Sequence, residues 1–153
     1  MRKAVILFMI SGFFGLFLIS CSKDANGLVT PEIQEGIHFR YDGAVFQPTE
    51  MTKSYTDGNV YFQGLEEPSK TEISFIIQDK MKEGKYNFAN IYNVSMKFLP
   101  YDKEIFIPVA GKFNLYELDK EKRTLKALFD CVLKNKETGK IIQITEGSIN
   151  IGY

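Results

Sequence analysis

The strongest constraint on the fold is a run of alternating residues near the end of the chain. Between Thr124 and Lys134 apolar and polar side chains alternate with period two, which is the period of a half-buried β-strand and not of a helix. One face carries the apolar residues Leu125, Ala127, Phe129, Cys131 and Leu133. The other face mixes charged residues with Leu128 and Val132, so it is either half covered or a contact surface. We predict that Cys131 lies in the core, where a free thiol behaves as a small apolar group.

Polar segments on both sides of this strand predict two hairpins that share it. The charged segment 119–123 separates it from an earlier strand at 112–118, and the segment 135–139 separates it from a later strand at 140–145. Charged and polar side chains in both connections suit solvated turns. The last third of the chain is therefore expected to form three consecutive antiparallel strands.

The same period appears in shorter segments from residue 36 onward. Residues 37–41 alternate, and Asp42-Gly43 turns the chain into a short strand at 44–46, which is a hairpin pattern. Further candidate strands are 60–63, 72–78, 85–88, 94–98 and 105–109. Pro108 lies within the last of these and predicts an edge or a bulge, because proline cannot donate a hydrogen bond to a sheet.

Together these segments predict an all-β fold in one domain. We expect a single antiparallel meander of about eight strands over residues 36–153, forming a sandwich or a small barrel, with a lipocalin-like barrel as a variant. A domain of this size buries roughly two-thirds of its unfolded surface, which is enough for one core.

The first twenty-one residues have the layout of a bacterial lipoprotein signal. A basic start at residues 1–3 is followed by an apolar run at 4–19, which ends in the lipobox Leu18-Ile19-Ser20-Cys21. The run is shorter than the roughly 20 residues of a membrane-spanning helix. We therefore predict a signal peptide at residues 1–20, cleavage before Cys21, and lipid attachment at Cys21 with acyl chains such as palmitate. An uncleaved N-terminal anchor is the alternative.

A lipidated Cys21 would set the location of the rest of the chain. Two or more acyl chains anchor a protein stably without a membrane span, so we expect an outer-membrane lipoprotein on the periplasmic or the surface-exposed leaflet. Residues 21–35 are then the lipidated cysteine and a flexible tether, although Thr30-Pro31-Glu32 could begin a helical turn. Cys131 is left without a disulfide partner.

Charge excludes one class of partner. Loss of residues 1–20 removes Arg2 and Lys3 from the 19 basic residues and leaves 17, against 19 acidic residues. The mature chain is thus mildly acidic, whereas nucleic-acid binding needs a clustered basic face. We predict no nucleic-acid partner.

The sequence offers little catalytic or metal-binding chemistry. His38 is the only histidine, which excludes a multi-histidine metal site, and its place in an alternating strand favours a polar-face residue over a catalytic one. No nucleophile elbow and no glycine-rich phosphate loop occurs in the sequence. Carboxylates that could form a glycosidase pair all lie in or beside predicted turns: Glu66, Glu67, Asp79, Glu83, Asp102, Glu104, Glu117, Asp119, Glu121, Glu137 and Glu146. We predict no enzyme, no cofactor and no metal.

Tyrosines are the remaining candidates for a recognition surface. Four lie within alternating strands and three lie near turns: Tyr41, Tyr61, Tyr86 and Tyr116, then Tyr55, Tyr92 and Tyr101. A tyrosine at a strand edge often closes a core with its hydroxyl in water, and it can equally supply binding area at low entropic cost. The first role is preferred, with a binding face as the alternative.

Several segments carry a pattern shared with a known group of proteins. They are Gly111-Lys112-Phe113-Asn114-Leu115-Tyr116-Glu117-Leu118-Asp119, the strand at 125–129, Glu137-Thr138-Gly139-Lys140, Ile144-Thr145-Glu146-Gly147 and, earlier, Glu83-Gly84-Lys85-Tyr86. They resemble small Bacteroidota lipoproteins that are grouped as a family of unknown function. Ala127, Cys131 and Ile149 stand where that pattern has Gly, Phe and Phe. The resemblance implies a compact β-sandwich or barrel in the cell envelope, with no known activity to carry over.

The expected function is that of a non-enzymatic envelope lipoprotein, a binding or accessory module for an outer-membrane protein, a glycan or a peptide. One alternative is a structural or assembly subunit of an outer-membrane complex, which needs a flat apolar face such as that of Leu128 and Val132. The other is a lipocalin-like carrier of a small ligand, which needs an internal pocket. Contact with the membrane would run through the lipid at Cys21.

Overall fold

The computed structural model describes residues 31–91, 94–98 and 104–153. The predicted signal peptide at 1–20, the lipid attachment at Cys21 and most of the tether lie outside the described residues. Asp102, Tyr92 and Tyr101 lie outside them as well. In the ranges that are described, no helix is long and apolar enough to cross a membrane.

The structure is all-β, as predicted, and its strands belong to one antiparallel sheet. The strands are β1 (Gly36–Tyr41), β2 (Ala44–Phe46), β3 (Glu50–Thr56), β4 (Asn59–Glu66), β5 (Thr71–Gln78), β6 (Gly84–Asn87), β7 (Val94–Phe98), β8 (Ile105–Asp119), β9 (Thr124–Asn135) and β10 (Ile141–Gly152). Their order is β2-β1-β10-β9-β8-β7-β5-β4-β3, and β6 pairs with β8. Consecutive strands are mostly neighbours, so the sheet is a meander of ten strands rather than about eight.

The pairing of β1 with β10 curls this meander into a half-barrel. Ile37 lies opposite Ile149, which joins the first strand to the last one. The remaining discontinuity lies between β2 and β3, although residues 47–49 connect them directly along the chain. We call this gap in strand pairing the seam. The end of the barrel where β1 begins and β10 ends is called the open end.

The predicted hairpins are present, and two details differ from the sequence prediction. The Asp42-Gly43 turn joins β1 to β2, with φ of 47° and 81° at its two residues, which is the geometry that favours Asp-Gly in hairpins. The segments 105–109 and 112–118, expected as two strands, form the single strand β8. A register shift between Pro108 and Ala110 keeps β8 paired with β9, so the bulge predicted at Pro108 is confirmed. Strand β3 was not predicted.

Phenylalanine rings fill the interior of the barrel. The ring of Phe129 on β9 lies 5.4 Å from that of Phe88, 5.6 Å from that of Phe75 and 6.3 Å from that of Phe39, measured between centroids. Aromatic pairs at such separations add to the stabilisation that burial provides. Cys131, two residues beyond Phe129, is 3% exposed, which confirms its predicted place in the core.

The described chain joins the barrel before β1 begins. Ile33 is buried, and its carbonyl oxygen accepts a hydrogen bond of 2.7 Å from Asn150 Nδ2 on β10. Pro31 and Glu32 are not helical, so the possible helical turn has no counterpart there. The core residues of the described chain lie between Ile33 and Ile151, so the domain contains its own core.

Candidate functional site

The seam is closed at one end of the barrel and open at the other. Near the far end, Thr49 N–H donates to the Leu65 carbonyl at 2.8 Å, and Gln47 N–H donates to Glu66 Oε1 at 3.0 Å. Gly64 allows this approach, because a Cβ there would lie 3.1 Å from Pro48 Cβ. The connection between β2 and β3 therefore packs directly on β4.

Toward the open end, the two sides of the seam separate and form a cleft. Strand β2 pairs only with residues 39–41 of β1, so in the described chain residues 36–38 have a partner strand on one side alone. Strand β3 likewise pairs only with β4, and all of its residues except Met51 are exposed. We call the space between these two edges the seam cleft; it is lined by Gly36, His38, Pro48, Met51, Lys53 and Ile151, among others.

Lys53 and His38 are two of the polar residues that line the seam cleft. Lys53 lies directly opposite Phe62, whose ring is buried, so both residues lie on the inner face of the sheet. Lys53 is exposed, and within the described chain it forms no ion pair. His38 Nε2 donates to the Glu35 carbonyl at 2.6 Å, because a carbonyl oxygen can only accept. His38, the sequence's only histidine, is thus tied to the backbone beside the cleft.

A polar and aromatic cluster joins β3 to the rest of the open end. Tyr55 Oη donates to Asp79 Oδ2 at 2.7 Å, and Lys120 Nζ lies 3.1 Å from the same oxygen. The rings of Tyr55 and Tyr153 lie 5.9 Å apart. These contacts connect four regions that are distant in sequence: β3, the β5–β6 turn, the β8–β9 turn and the end of β10. They hold one end of β3 in place while its free edge stays unpaired.

The electrostatics of this cluster follow from its hydrogen bonds. The Tyr55 hydroxyl and the Lys120 ammonium lower the pKa of Asp79 below its ordinary value. The same hydrogen bond to Asp79 raises the pKa of Tyr55. Burial, followed by the charges of Asp79 and Asp119, raises the pKa of Tyr153, whose hydroxyl is buried without a partner in the described structure. The carboxylate of Asp79 therefore stays ionised and acts as a hydrogen-bond acceptor.

A second recess lies in the barrel wall between β5 and β6. Its lining includes the apolar residues Ile76 and Met81, the ring of Tyr86, and the polar residues Asn59 and Gln78. Strand β5 pairs with β7 only over residues 71–75, and β6 pairs with β8. The wall recess thus occupies the place where two strands of the meander diverge.

Three of the acidic residues considered for catalysis are each bound to a different partner. Glu117 accepts from Thr124 and from Lys126, and these two bonds lower its pKa. Asp119 Oδ1 accepts two backbone N–H groups of its own turn. Glu146 pairs with Arg40 at 2.9 Å. Among the described residues, no group of three or more His, Cys, Asp or Glu side chains is arranged to hold a metal ion.

The faces of β9 are arranged as the alternation predicted. Burial raises the pKa of Cys131 to about 12, so its thiol stays protonated at neutral pH. On the outer face Leu128 and Val132 are half-buried, with the exposed Asp130 between them. A more exposed set of aliphatic side chains lies nearby, on β8 and β10: Ile105, Val109 and Ile141.

Sequence reasoning did not single out Lys53, Met51 or Asp79 as members of one site. Tyr55 was noted only as a tyrosine near a turn. An isolated lysine between threonine and serine, in a segment without apolar alternation, was the available signal for an exposed edge strand at 50–56.

Comparisons of the chain with known proteins found no match. No protein-family model matches the chain. No curated protein and no solved structure is significantly similar to it. The resemblance to small Bacteroidota lipoproteins therefore stays a prediction, and the function has to be inferred from the residues.

Proposed function

We propose that the chain is a non-enzymatic envelope lipoprotein, anchored to the outer membrane by a lipid on Cys21, and that its β domain is a binding or accessory module. The observation that carries this proposal is the seam cleft. A meander that pairs its first strand with its last leaves β3 unpaired on one edge, with Lys53 facing inward and free of an ion pair in the described chain. An accessible polar and apolar cleft of this kind is a common form of binding site.

The position of the cleft is compatible with a membrane anchor. Residue Ile33 joins the barrel through Asn150, close to the open end, and eleven residues separate it from Cys21. A coil of that length has an r.m.s. span of roughly 18 Å. A lipid at Cys21 would hold the seam cleft within reach of partners at the membrane surface.

One observation favours the alternative of an assembly subunit. Ile141 is 60% exposed, and Val109 and Ile105 on β8 are 46% and 43% exposed. These residues lie on β8 and β10, on either side of β9, and exposed aliphatic side chains that lie on one face of a sheet are typical of protein contact surfaces. The lipocalin-like carrier needs an internal pocket, whereas phenylalanine rings fill the described interior and the recesses lie in the wall.

Affinity isolation from native membranes with the Cys21 anchor intact tests the proposal. The variant Lys53→Glu changes the seam cleft, and Ile141→Lys changes the exposed aliphatic set of Ile105, Val109 and Ile141. Lys85→Glu is the matched control, because Lys85 is an exposed lysine on β6, away from both. We expect a co-isolated partner whose binding is lost in the Lys53→Glu variant and retained in the other two variants. Loss with Ile141→Lys alone would support assembly, and retention by all three variants would contradict a role for the cleft.

A further inference from the structure

The free edge of β3 has the properties of a site for strand addition. Its seven residues pair with β4 in a continuous register, without a bulge, and contain no proline. Alternate residues of such a strand direct their N–H and C=O groups away from the paired neighbour. Natural edge strands are usually shortened, bulged, covered or given an inward-pointing charge, and of these protections β3 carries only the inward-pointing Lys53 in the described chain.

We propose that β3 binds an extended polypeptide segment of an envelope protein as an additional strand, and that Lys53 selects an acidic side chain in that segment. This inference rests on the binding role proposed above and specifies its ligand class. Main-chain hydrogen bonds to an open sheet edge supply the contact in this mode of recognition, and alternate side chains supply the specificity.

The charges around the cleft favour an acidic segment. Lys53 lies on the inner face of β3, whereas Glu50 lies three residues away on the outer face, opposite Leu65. Glu35 also lines the cleft, but it forms no ion pair with Lys53. The Nε2 proton of His38 is already donated to the Glu35 carbonyl. The ammonium group of Lys53 is therefore the cation of the cleft that is available to a carboxylate on an added strand.

The topology also explains why an extended segment fits better than a compact ligand. The cleft is bounded along its length by two strand edges, residues 36–38 of β1 and residues 50–56 of β3. Tyr55 holds β3 at the open end through Asp79, and Pro48 packs against β4 at the other end. A strand that adds to β3 can use unpaired backbone groups along this whole edge, whereas a sugar or a lipid headgroup would leave most of them solvated.

Two synthetic peptides test the inference on the chain without residues 1–21. Both are heptapeptides of alternating threonine and valine, and they differ only in a glutamate or a lysine at the central position. Affinity is measured by fluorescence anisotropy, and backbone amide hydrogen exchange locates the bound segment. Because opposite charges on adjacent strands attract and like charges repel, we expect the glutamate peptide to bind about fivefold more tightly than the lysine peptide.

Charge reversal at Lys53 provides the decisive comparison. Lys53→Glu should invert the preference between the peptides, Lys53→Gln should abolish it, and Lys85→Glu should leave it unchanged. Binding should slow exchange at alternate amides of Glu50–Thr56. Protection at the wall recess around Ile76 and Met81 instead would overturn strand addition while leaving a binding role intact. Absence of binding by both peptides at about 1 mM would also overturn it.

Discussion

The substitution Gly147→Ala probes how closely β10 approaches the centre of the core. Gly147 lies opposite Phe129, immediately after a register shift in β10, and Glu146 before it has φ of 53°. A Cβ at Gly147 would contact the Phe129 carbonyl oxygen and would lie 2.6 Å from two ring atoms of Phe129. The segment Thr145-Glu146-Gly147 is thus a bulge that allows this contact.

The structure sets the expected magnitude. Overpacking of a core typically costs about 1–3 kcal/mol. The ring of Phe129 also makes contacts with the rings of Phe39, Phe75 and Phe88, each worth about 0.5–1.5 kcal/mol, and movement of the ring weakens them together. We expect Gly147→Ala to lower the free energy of unfolding by about 3 kcal/mol.

Equilibrium urea unfolding of the chain without residues 1–21 measures this loss. With a slope of about 2 kcal/mol per M, the midpoint should fall by about 1.5 M. Gly152→Ala is the matched control on the same strand, because the nearest atom to its Cβ would be 3.9 Å away. Its effect should be within about 0.5 kcal/mol of zero.

A double substitution separates the two contacts. Phe129→Leu removes the ring but keeps the backbone carbonyl, so Gly147→Ala should cost about 1 kcal/mol less in that background. If Gly147→Ala and Gly152→Ala were equally mild, the close approach of β10 to Phe129 would be wrong. Full additivity of Gly147→Ala and Phe129→Leu would refute the ring contact in particular.

Three further predictions follow from single side chains. Cys131, which is 3% exposed and has a raised pKa, should resist a thiol reagent in the folded chain and react only in denaturant; rapid native labelling would contradict its burial. Asp79→Asn should destabilise the domain at neutral pH, because Tyr55 and Lys120 lower the pKa of the Asp79 carboxyl in the folded chain below the ordinary 3.8. The difference in stability between wild type and variant should therefore vanish as the pH falls through that lowered pKa. A difference that does not change with pH would argue against this. Asn135→Ala removes an acceptor for two turn N–H groups and should cost about 1–2 kcal/mol in thermal or urea unfolding, whereas no loss would show that the turn forms without it.

The parts of the fold that could be predicted have strong local signals. Strand β9 alternates over its whole length because one face is buried in the core, and charged turns mark both of its ends. The Asp42-Gly43 hairpin follows from the backbone conformation that its turn requires. In both cases residues adjacent in sequence determine the structure.

Strand β3 and the continuity of β8 lack such signals. The residues of β3 pack against little of the core, so selection for apolar alternation is absent there, and only Met51 is partly buried. Pro108 and Gly111 look like interruptions of β8, but the bulge beside Pro108 keeps the strand paired with β9. A Cβ at Gly111 would meet the Asp130 carbonyl and Cys131, so this glycine serves the pairing rather than ending it.

The candidate site could not be predicted because it depends on long-range closure. The seam cleft brings together residues 36–38, 48–53 and 150–151, which meet only after β1 pairs with β10. Tyr55 and Asp79 are likewise 24 residues apart and meet at the open end. Neither segment carries a motif that indicates its partner.

Amide hydrogen exchange of the anchored protein in its own membranes tests the central claim most directly, namely that the free edge of β3 is a binding site. Exchange at Glu50–Thr56 is compared between envelope membranes that carry the full chain and the purified chain without residues 1–21. Strand β4, which is paired on both sides, is the internal reference. We predict that alternate β3 amides exchange about tenfold more slowly in membranes and that Lys53→Glu restores fast exchange. Equal exchange of β3 in both preparations would contradict the claim.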